Sequence, residues 1–183
     1  MARNIEIKAR IASVESLLPL AAKIADVGPT EILQDDTFFS CPNGRLKLRA
    51  FSDHDGQLIF YQRPDSTGPK ESFYVISPTA SPNTLRQALS LAYGEGGRVR
   101  KHRTLFLVGR TRVHLDKVEG LGDFLELEVV LAEGEHNETG VSVAHELLEK
   151  LAVSHHQLIE EAYVDLLAKL PDKVIHRTAS GSR

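Results

Sequence analysis

Arg3-Asn4-Ile5-Glu6-Ile7-Lys8-Ala9-Arg10-Ile11 sets the reading of this 183-residue chain. Strand side chains alternate between two faces with a period of two. On that spacing Ile5, Ile7, Ala9 and Ile11 share one face, while Asn4, Glu6, Lys8 and Arg10 share the other. Taken singly, such a stretch is an ordinary half-buried strand with its charged side in water. Later stretches repeat it with one sign of charge dominant. Arg45-Leu46-Lys47-Leu48-Arg49 is basic on one face and leucine on the other, and Leu125-Glu126-Leu127-Glu128-Val129 is acidic on one face and aliphatic on the other.

The polar faces collect two sets of charges. Arg45, Lys47, Arg49, Arg63, Lys101 and Arg103 form the basic set, and Glu6, Asp116, Glu126 and Glu128 the acidic one. Two architectures satisfy the pattern. An open sheet would leave these faces solvated, with cross-strand ion pairs. A closed antiparallel barrel, its apolar faces covered by helices, would turn the charged faces toward one another. Buried charge is costly unless matched, so such an interior needs partners of both signs. Facing arginines and lysines suit a polyphosphate. Facing carboxylates near phosphate suit an oxygen-preferring cation, Mg²⁺ or Mn²⁺.

The remaining elements follow from local signals. Ser13 caps a helix predicted to about Ala25, with Pro19 inside it as a kink or an early stop. Strands are predicted over 30–40, 45–49, 57–64 and 71–77, with turns at Pro42-Asn43-Gly44 and Asp53-His54-Asp55-Gly56. Ser81-Pro82 opens a helix to about Tyr93, because proline is tolerated in a first turn. A hairpin across Gly109-Arg110 joins strands 98–108 and 111–118, and a last strand runs from Phe124 to Leu131. Two helices are predicted over 141–151 and 157–170. This makes an α+β chain of about eight mostly antiparallel strands, with one domain over residues 1–170 and a poorly ordered tail over 171–183.

Composition narrows the function classes. A net charge of -3 gives no global attraction to nucleic acid or anionic membrane, so no nucleic-acid or membrane partner is expected. The single cysteine, Cys41, has no disulfide partner within the chain and no metal-ligand spacing around it. Charged residues from Arg3 onward, with no apolar run behind them, match no signal peptide, and a cytoplasmic location is expected. The eight histidines are scattered and do not build a zinc site, although His114, flanked on its strand face by Arg112 and Asp116, is a candidate tunnel residue. A long alternating edge, were the barrel incompletely closed, would invite a homodimer.

Asn4-Ile5-Glu6-Ile7-Lys8 resembles the ExExK signature of the CYTH, or triphosphate tunnel metalloenzyme, superfamily. Further matching stretches follow in order: Gln34-Asp35-Asp36-Thr37-Phe38-Phe39, Arg45-Leu46-Lys47-Leu48-Arg49, Tyr61-Gln62-Arg63-Pro64, Val99-Arg100-Lys101-His102-Arg103, Arg112-Val113-His114-Leu115-Asp116 and Gly120-Leu121-Gly122-Asp123-Phe124-Leu125-Glu126-Leu127-Glu128. Ala162-Tyr163-Val164-Asp165-Leu166-Leu167 is similar to the family's closing helix. The resemblance spans roughly residues 3–170 and is strongest to the class IV adenylyl cyclase-like branch.

The resemblance implies a tunnel barrel of eight antiparallel strands with a charged interior and helices packed outside. By that likeness Glu6 is a metal ligand and Lys8 lies near the phosphates or the nucleophile, which makes both catalytic candidates. Arg49, Arg63, Lys101 and Arg103 would clamp phosphate oxygens, with Arg45 and Lys47 beside them. Asp116, Glu126 and Glu128 would hold Mg²⁺ or Mn²⁺ or orient its waters. The departure is Asn4, which stands where the signature has its first glutamate and offers a neutral carbonyl oxygen instead of a charge or a base. Three activities fit: cyclisation of ATP to cyclic AMP and pyrophosphate, hydrolysis of tripolyphosphate, a nucleoside triphosphate or thiamine triphosphate, and triphosphate binding without turnover.

Overall fold

The computed structural model describes residues 3–62 and 70–171. Arg63 and the loop expected at 65–70 therefore fall outside the described residues, apart from Lys70, and so does the expected tail beyond Pro171. Eight strands alternate with helices: β1 (Arg3–Arg10), α1 (Val14–Ile24), β2 (Val27–Phe39), β3 (Arg45–Ala50), β4 (Gly56–Gln62), β5 (Lys70–Thr79), α2 (Pro82–Tyr93), β6 (Glu95–Val108), β7 (Thr111–Val118), β8 (Gly122–Val130), α3 (Asn137–Lys150) and α4 (Tyr163–Ala168). The strands close into a ring in the order β1-β5-β4-β3-β2-β6-β7-β8, and every neighbouring pair is antiparallel. Closure removes the exposed edge that would have invited strand pairing with a second copy.

The alternation seen in the sequence sets which side faces in. Ile5, Ile7 and Ala9 of β1, Val113 and Leu115 of β7, and Leu125, Leu127 and Val129 of β8 point outward and are almost fully buried. They form the main core with Val14, Leu17 and Ala21 of α1 and Ala144, Leu147 and Leu148 of α3. The core thus lies outside the ring, and the polar faces point into it. α3 begins at Asn137, a turn earlier than the sequence suggests, because Gly140 lets the helix lie flush on the barrel. A Cβ at Gly140 would lie 2.7 Å from Ile5 Cγ1 and 2.8 Å from Leu131 Cδ2.

α1 starts as expected, with the Ser13 hydroxyl accepting from the Ser16 amide at 3.1 Å, and it continues through Pro19. Pro19 is exposed, so the carbonyl it leaves without a helical partner is on the solvent side of the helix. The expected helix over 157–170 is not formed. A short 3₁₀ turn at His155–Gln157 is followed by extended chain that bridges Leu158 to Ala9 and donates from the Ile159 amide to the Lys8 carbonyl at 3.0 Å. Only Tyr163–Ala168 is helical. Pairing with the end of β1 satisfies the backbone there, and this tertiary contact overrides a helix-like apolar spacing.

All four helices pack outside the ring, and α4 lies across one of its ends. A second apolar cluster there joins Phe38, Val99, Val118 and Phe124 of the barrel to Ala162, Tyr163 and Val164. Gly97 permits this docking: its φ is +141°, and an added Cβ would lie 2.5 Å from Val164 Cγ2. Arg45 fastens α4 from the side, its two terminal nitrogens donating to Asp165 at 3.1 and 2.6 Å.

If the core lies between barrel and helices, Leu127→Ala, at a fully buried outward position, should cost about 2–5 kcal/mol of stability. Urea unfolding measures it, and a loss below about 1 kcal/mol would contradict this placement of the core.

Candidate active site

The inward faces enclose a cavity of about 310 Å³. Lys47 and Arg49 of β3, Lys101 and Arg103 of β6, Lys8 of β1 and Arg112 of β7 bring positive charge to its wall. Glu6, Asp36, Glu126 and Glu128 bring negative charge, and Tyr163 reaches in from α4. Like charges this close require internal counterions, and two aspartates from different strands serve the four central cations.

Asp36 of β2 stands opposite Arg49 in the β2–β3 register. Its carboxylate accepts from Arg49 Nε and Nη2, both at 2.8 Å, and from Lys47 Nζ at 2.9 Å. Burial pushes the Asp36 carboxyl up, but Arg49 and Lys47 outweigh it and hold the group well below the usual carboxylate range. Asp116 of β7 repeats the device opposite Arg103. It accepts from Arg103 Nε and Nη2 at 2.7 Å each, from Lys101 Nζ at 3.2 Å and from the Tyr163 hydroxyl at 3.1 Å. Burial again opposes ionisation, and Arg103 and Lys101 overcome it.

β1 and β8 supply the acidic wall. Their register sets Glu6 opposite Glu128 and Lys8 opposite Glu126. Glu126 accepts from Arg103 Nη2 at 3.0 Å. Burial disfavours its charge, but Lys8 and Arg103 keep it well below its ordinary value. Glu128 accepts from Arg112 Nη1 at 2.9 Å. Burial pushes it up, and the nearby His114 imidazole leads the charges that pull it down. Lys8 donates to the Glu161 carbonyl at 3.3 Å, and its ammonium sits 4.1 Å from the centre of the Tyr163 ring, within cation–π range.

Comparison with known proteins follows the same lines. The sequence pattern of the CYTH domain matches residues 2–163. The chain belongs to the CYTH domain family. Among solved structures, a protein from Pyrococcus horikoshii aligns with a TM-score of 0.79 at 20% identity, covering 89% of this chain and 98% of its own. A proposed adenylate cyclase from Vibrio parahaemolyticus aligns at 0.68 and 18% identity, covering 90% and 97%. A proposed adenylyl cyclase from Hippeastrum, described as having a dominant triphosphatase activity, aligns at 0.65 and 16% identity, covering 94% and 98%. At such identities the likeness is one of fold. No curated protein matches by sequence.

The CYTH barrel gathers eight of the expected site residues around one cavity: Glu6, Lys8, Lys47, Arg49, Lys101, Arg103, Glu126 and Glu128. Two others stand apart from its lining. Arg45 is turned to Asp165 on α4, and Asp116 is fully buried behind Arg103, both its oxygens engaged by cations. Asp116 is there the counterion of Arg103 and Lys101. Arg63 lies outside the described residues.

Asp36, Arg112 and Tyr163 were given no role from the sequence, although each sits in a stretch quoted for the family likeness. Arg112 shares the inward face with His114 and Asp116, so its alternation was a usable signal. Asp36 becomes legible only with the β2–β3 register, and Tyr163 only once α4 docks.

Lys47 carries a titration within reach of experiment. Burial and the Arg49 charge lower its ammonium to about 8, against the pull of Asp36. It is cationic below that pH and neutral above it. Tripolyphosphate affinity should therefore fall as pH rises through about 8. The inflection should vanish in Lys47→Arg, whose guanidinium does not titrate in this range. Isothermal titration across pH 6.5–9.5, roughly bracketing the transition, compares the two proteins, and identical curves would refute the assignment.

Proposed function

We propose that the cavity binds the triphosphate end of its substrate together with a divalent cation and catalyses displacement at phosphorus. Cyclisation of ATP to cyclic AMP and pyrophosphate is the leading reaction. The observation that carries this is the convergence of Lys47, Arg49, Lys101 and Arg103, held in place by Asp36 and Asp116, on a cavity whose far wall is carboxylate. Fixed cations aimed at oxygens where charge develops are the main source of catalysis in phosphoryl transfer.

The donors suit a divalent cation bound jointly with phosphate. Among the described residues no three His, Cys, Asp or Glu side chains converge on one point. Such a cage is not needed, because Mg²⁺-type sites on phosphates commonly take one or two protein carboxylates and complete their shell with phosphate oxygens and water. Glu6 and Glu128, adjacent across the β1–β8 register, supply the carboxylates. The Asn4 Oδ1 oxygen is buried with no hydrogen-bond partner, which leaves an acceptor free to serve a cation or its water. When bound, the cation would neutralise charge spread over the phosphate oxygens.

The chain's own groups supply the rest. Arg49 and Arg103, each gripping its aspartate with Nε and Nη2, present Nη1 for donation, while Lys47 and Lys101 act as compact charges. Lys8, near the α4 end and opposite Glu126, is placed to donate to a phosphate or to the leaving group. Glu126 and Glu128, both held ionised, keep the wall facing the basic cluster negative and so able to hold the cation rather than to take up protons. The wall is dry enough that Asp116, Arg103 and Lys101 are each at most 7% exposed, so their charges act with little screening.

Triphosphate hydrolysis is the second reading, since the same clamp serves a water attacking the terminal phosphorus, and the Hippeastrum relative of the same fold is described as chiefly a triphosphatase. Incubation with ATP and Mg²⁺ or Mn²⁺, with cyclic AMP, pyrophosphate and orthophosphate quantified separately, decides between them. Cyclic AMP matched by pyrophosphate supports cyclisation, and orthophosphate alone supports hydrolysis. A triphosphate-induced rise in melting temperature with neither product would leave a binding module.

Two substitutions test the site itself. Arg49→Ala should weaken triphosphate binding roughly ten- to hundredfold, the equivalent of about 1.5–3 kcal/mol for a charge-assisted hydrogen bond, and unchanged affinity would sink the assignment. Asn4→Glu restores a carboxylate to the cation wall. It should raise divalent-cation affinity, and increased orthophosphate release in that variant would show that Asn4 restrains hydrolysis.

A further inference from the structure

His114 is the cavity's unexplained group. It projects inward from β7 between Arg112 and Asp116 and is 4% exposed. Neither of its ring nitrogens has a hydrogen-bond partner among the described residues. Its Nε2 lies 3.4 Å from Glu128 Oε2, close enough for electrostatic attraction but without hydrogen-bond geometry. Buried polar atoms without partners are uncommon in folded proteins, and an absent ligand is one of their ordinary causes.

The surroundings narrow the ligand. Glu126 faces His114 directly in the β7–β8 register, and Glu128 and Glu6 follow one step along the same face. A neutral imidazole beside a carboxylate is a mixed nitrogen and oxygen donor pair. Asn4 contributes a second unpartnered buried oxygen to the same cavity. Phosphate itself is a poor answer to this corner, because the carboxylates repel it. A cation that bridges carboxylate, imidazole and phosphate answers all of the donors at once.

We propose that His114 is a nitrogen ligand, beside Glu128, for the divalent cation that accompanies the triphosphate, so that this chain selects Mn²⁺ over Mg²⁺. The inference rests on the cation–triphosphate reading of the cavity. Mg²⁺ is a hard ion that keeps to oxygen and loses its water reluctantly. Imidazole is a softer donor, and replacing an oxygen ligand by nitrogen costs a first-row transition ion such as Mn²⁺ less than it costs Mg²⁺. Protein donors need number only two here, with phosphate oxygens completing the shell.

Pulsed electron paramagnetic resonance on the protein loaded with Mn²⁺ and tripolyphosphate tests this without reference to turnover. The expected spectrum carries nuclear modulation from a directly bound nitrogen, changed by ¹⁵N labelling of histidine alone and absent in His114→Gln. Titration calorimetry in the presence of tripolyphosphate should show the preference for Mn²⁺ over Mg²⁺ falling roughly tenfold or more in that variant, while metal-free tripolyphosphate binding is retained. Should His114→Gln fail to fold, the histidine-labelled wild-type spectrum decides by itself. Bound Mn²⁺ without histidine modulation would overturn the ligand assignment and leave the functional reading intact. Failure of Mn²⁺ and tripolyphosphate to bind at all would overturn both.

Discussion

Four of the six cations that the described residues bring around one cavity are held by two buried aspartates, and the fold depends on these to keep them charged there. Asp36 bridges Lys47 and Arg49, and Asp116 bridges Lys101 and Arg103. In each case the aspartate comes from a different strand than its cations, and its arginine is its direct register partner. These contacts pin β2 to β3 and β6 to β7 at the height where ligand phosphates would lie. Their stabilising effect is complete above the ordinary carboxylate range and is lost as pH falls below it toward their depressed values. Structural support and the proposed phosphate clamp therefore share one network. A change that weakens the clamp also loosens the barrel.

This network divides the site into two halves of different character. The basic half is held by its two aspartates, with Gln34 Oε1 beside them left without a hydrogen-bond partner among the described residues, whereas β1 and β7 bring Asn4 Oδ1 and the His114 ring, also without hydrogen-bond partners there, to the side of the carboxylates. Preorganised charge suits an anion of fixed geometry such as a triphosphate. Unfilled donor capacity suits a small ion that arrives with it. The fold alone does not choose among reactions at phosphorus, because cyclisation and hydrolysis differ in which nucleophile is aligned with which phosphorus atom.

Much of this was legible in the primary structure because strand alternation is a local signal. Glu6 and Lys8, Lys47 and Arg49, and Glu126 and Glu128 declared their shared faces within stretches of a few residues, and Gly109-Arg110 marked its hairpin outright. The counterion roles were hidden for the opposite reason. Asp36 meets Lys47 and Arg49 only when the register of the β2–β3 hairpin is set, and Tyr163 reaches Asp116 across 47 positions once α4 docks on the ring. Arg45 read as one more basic residue on a phosphate-facing strand, yet its partner Asp165 lies 120 positions later and draws it to the rim. The stretch from Gln157 to Leu170 misled most. Its apolar spacing fits a helix, but Leu158 and Ile159 are taken up by the end of β1 before a helix can start.

That extended segment has an effect on traffic. It delivers Tyr163 and Val164 to one end of the ring, where the Tyr163 hydroxyl reaches Asp116 and its ring covers the Lys8 ammonium. Among the described residues, that end of the ring is narrowed by the chain's own α4 side chains. On the proposed function, the phosphates of a substrate would then have to sit at its free terminus.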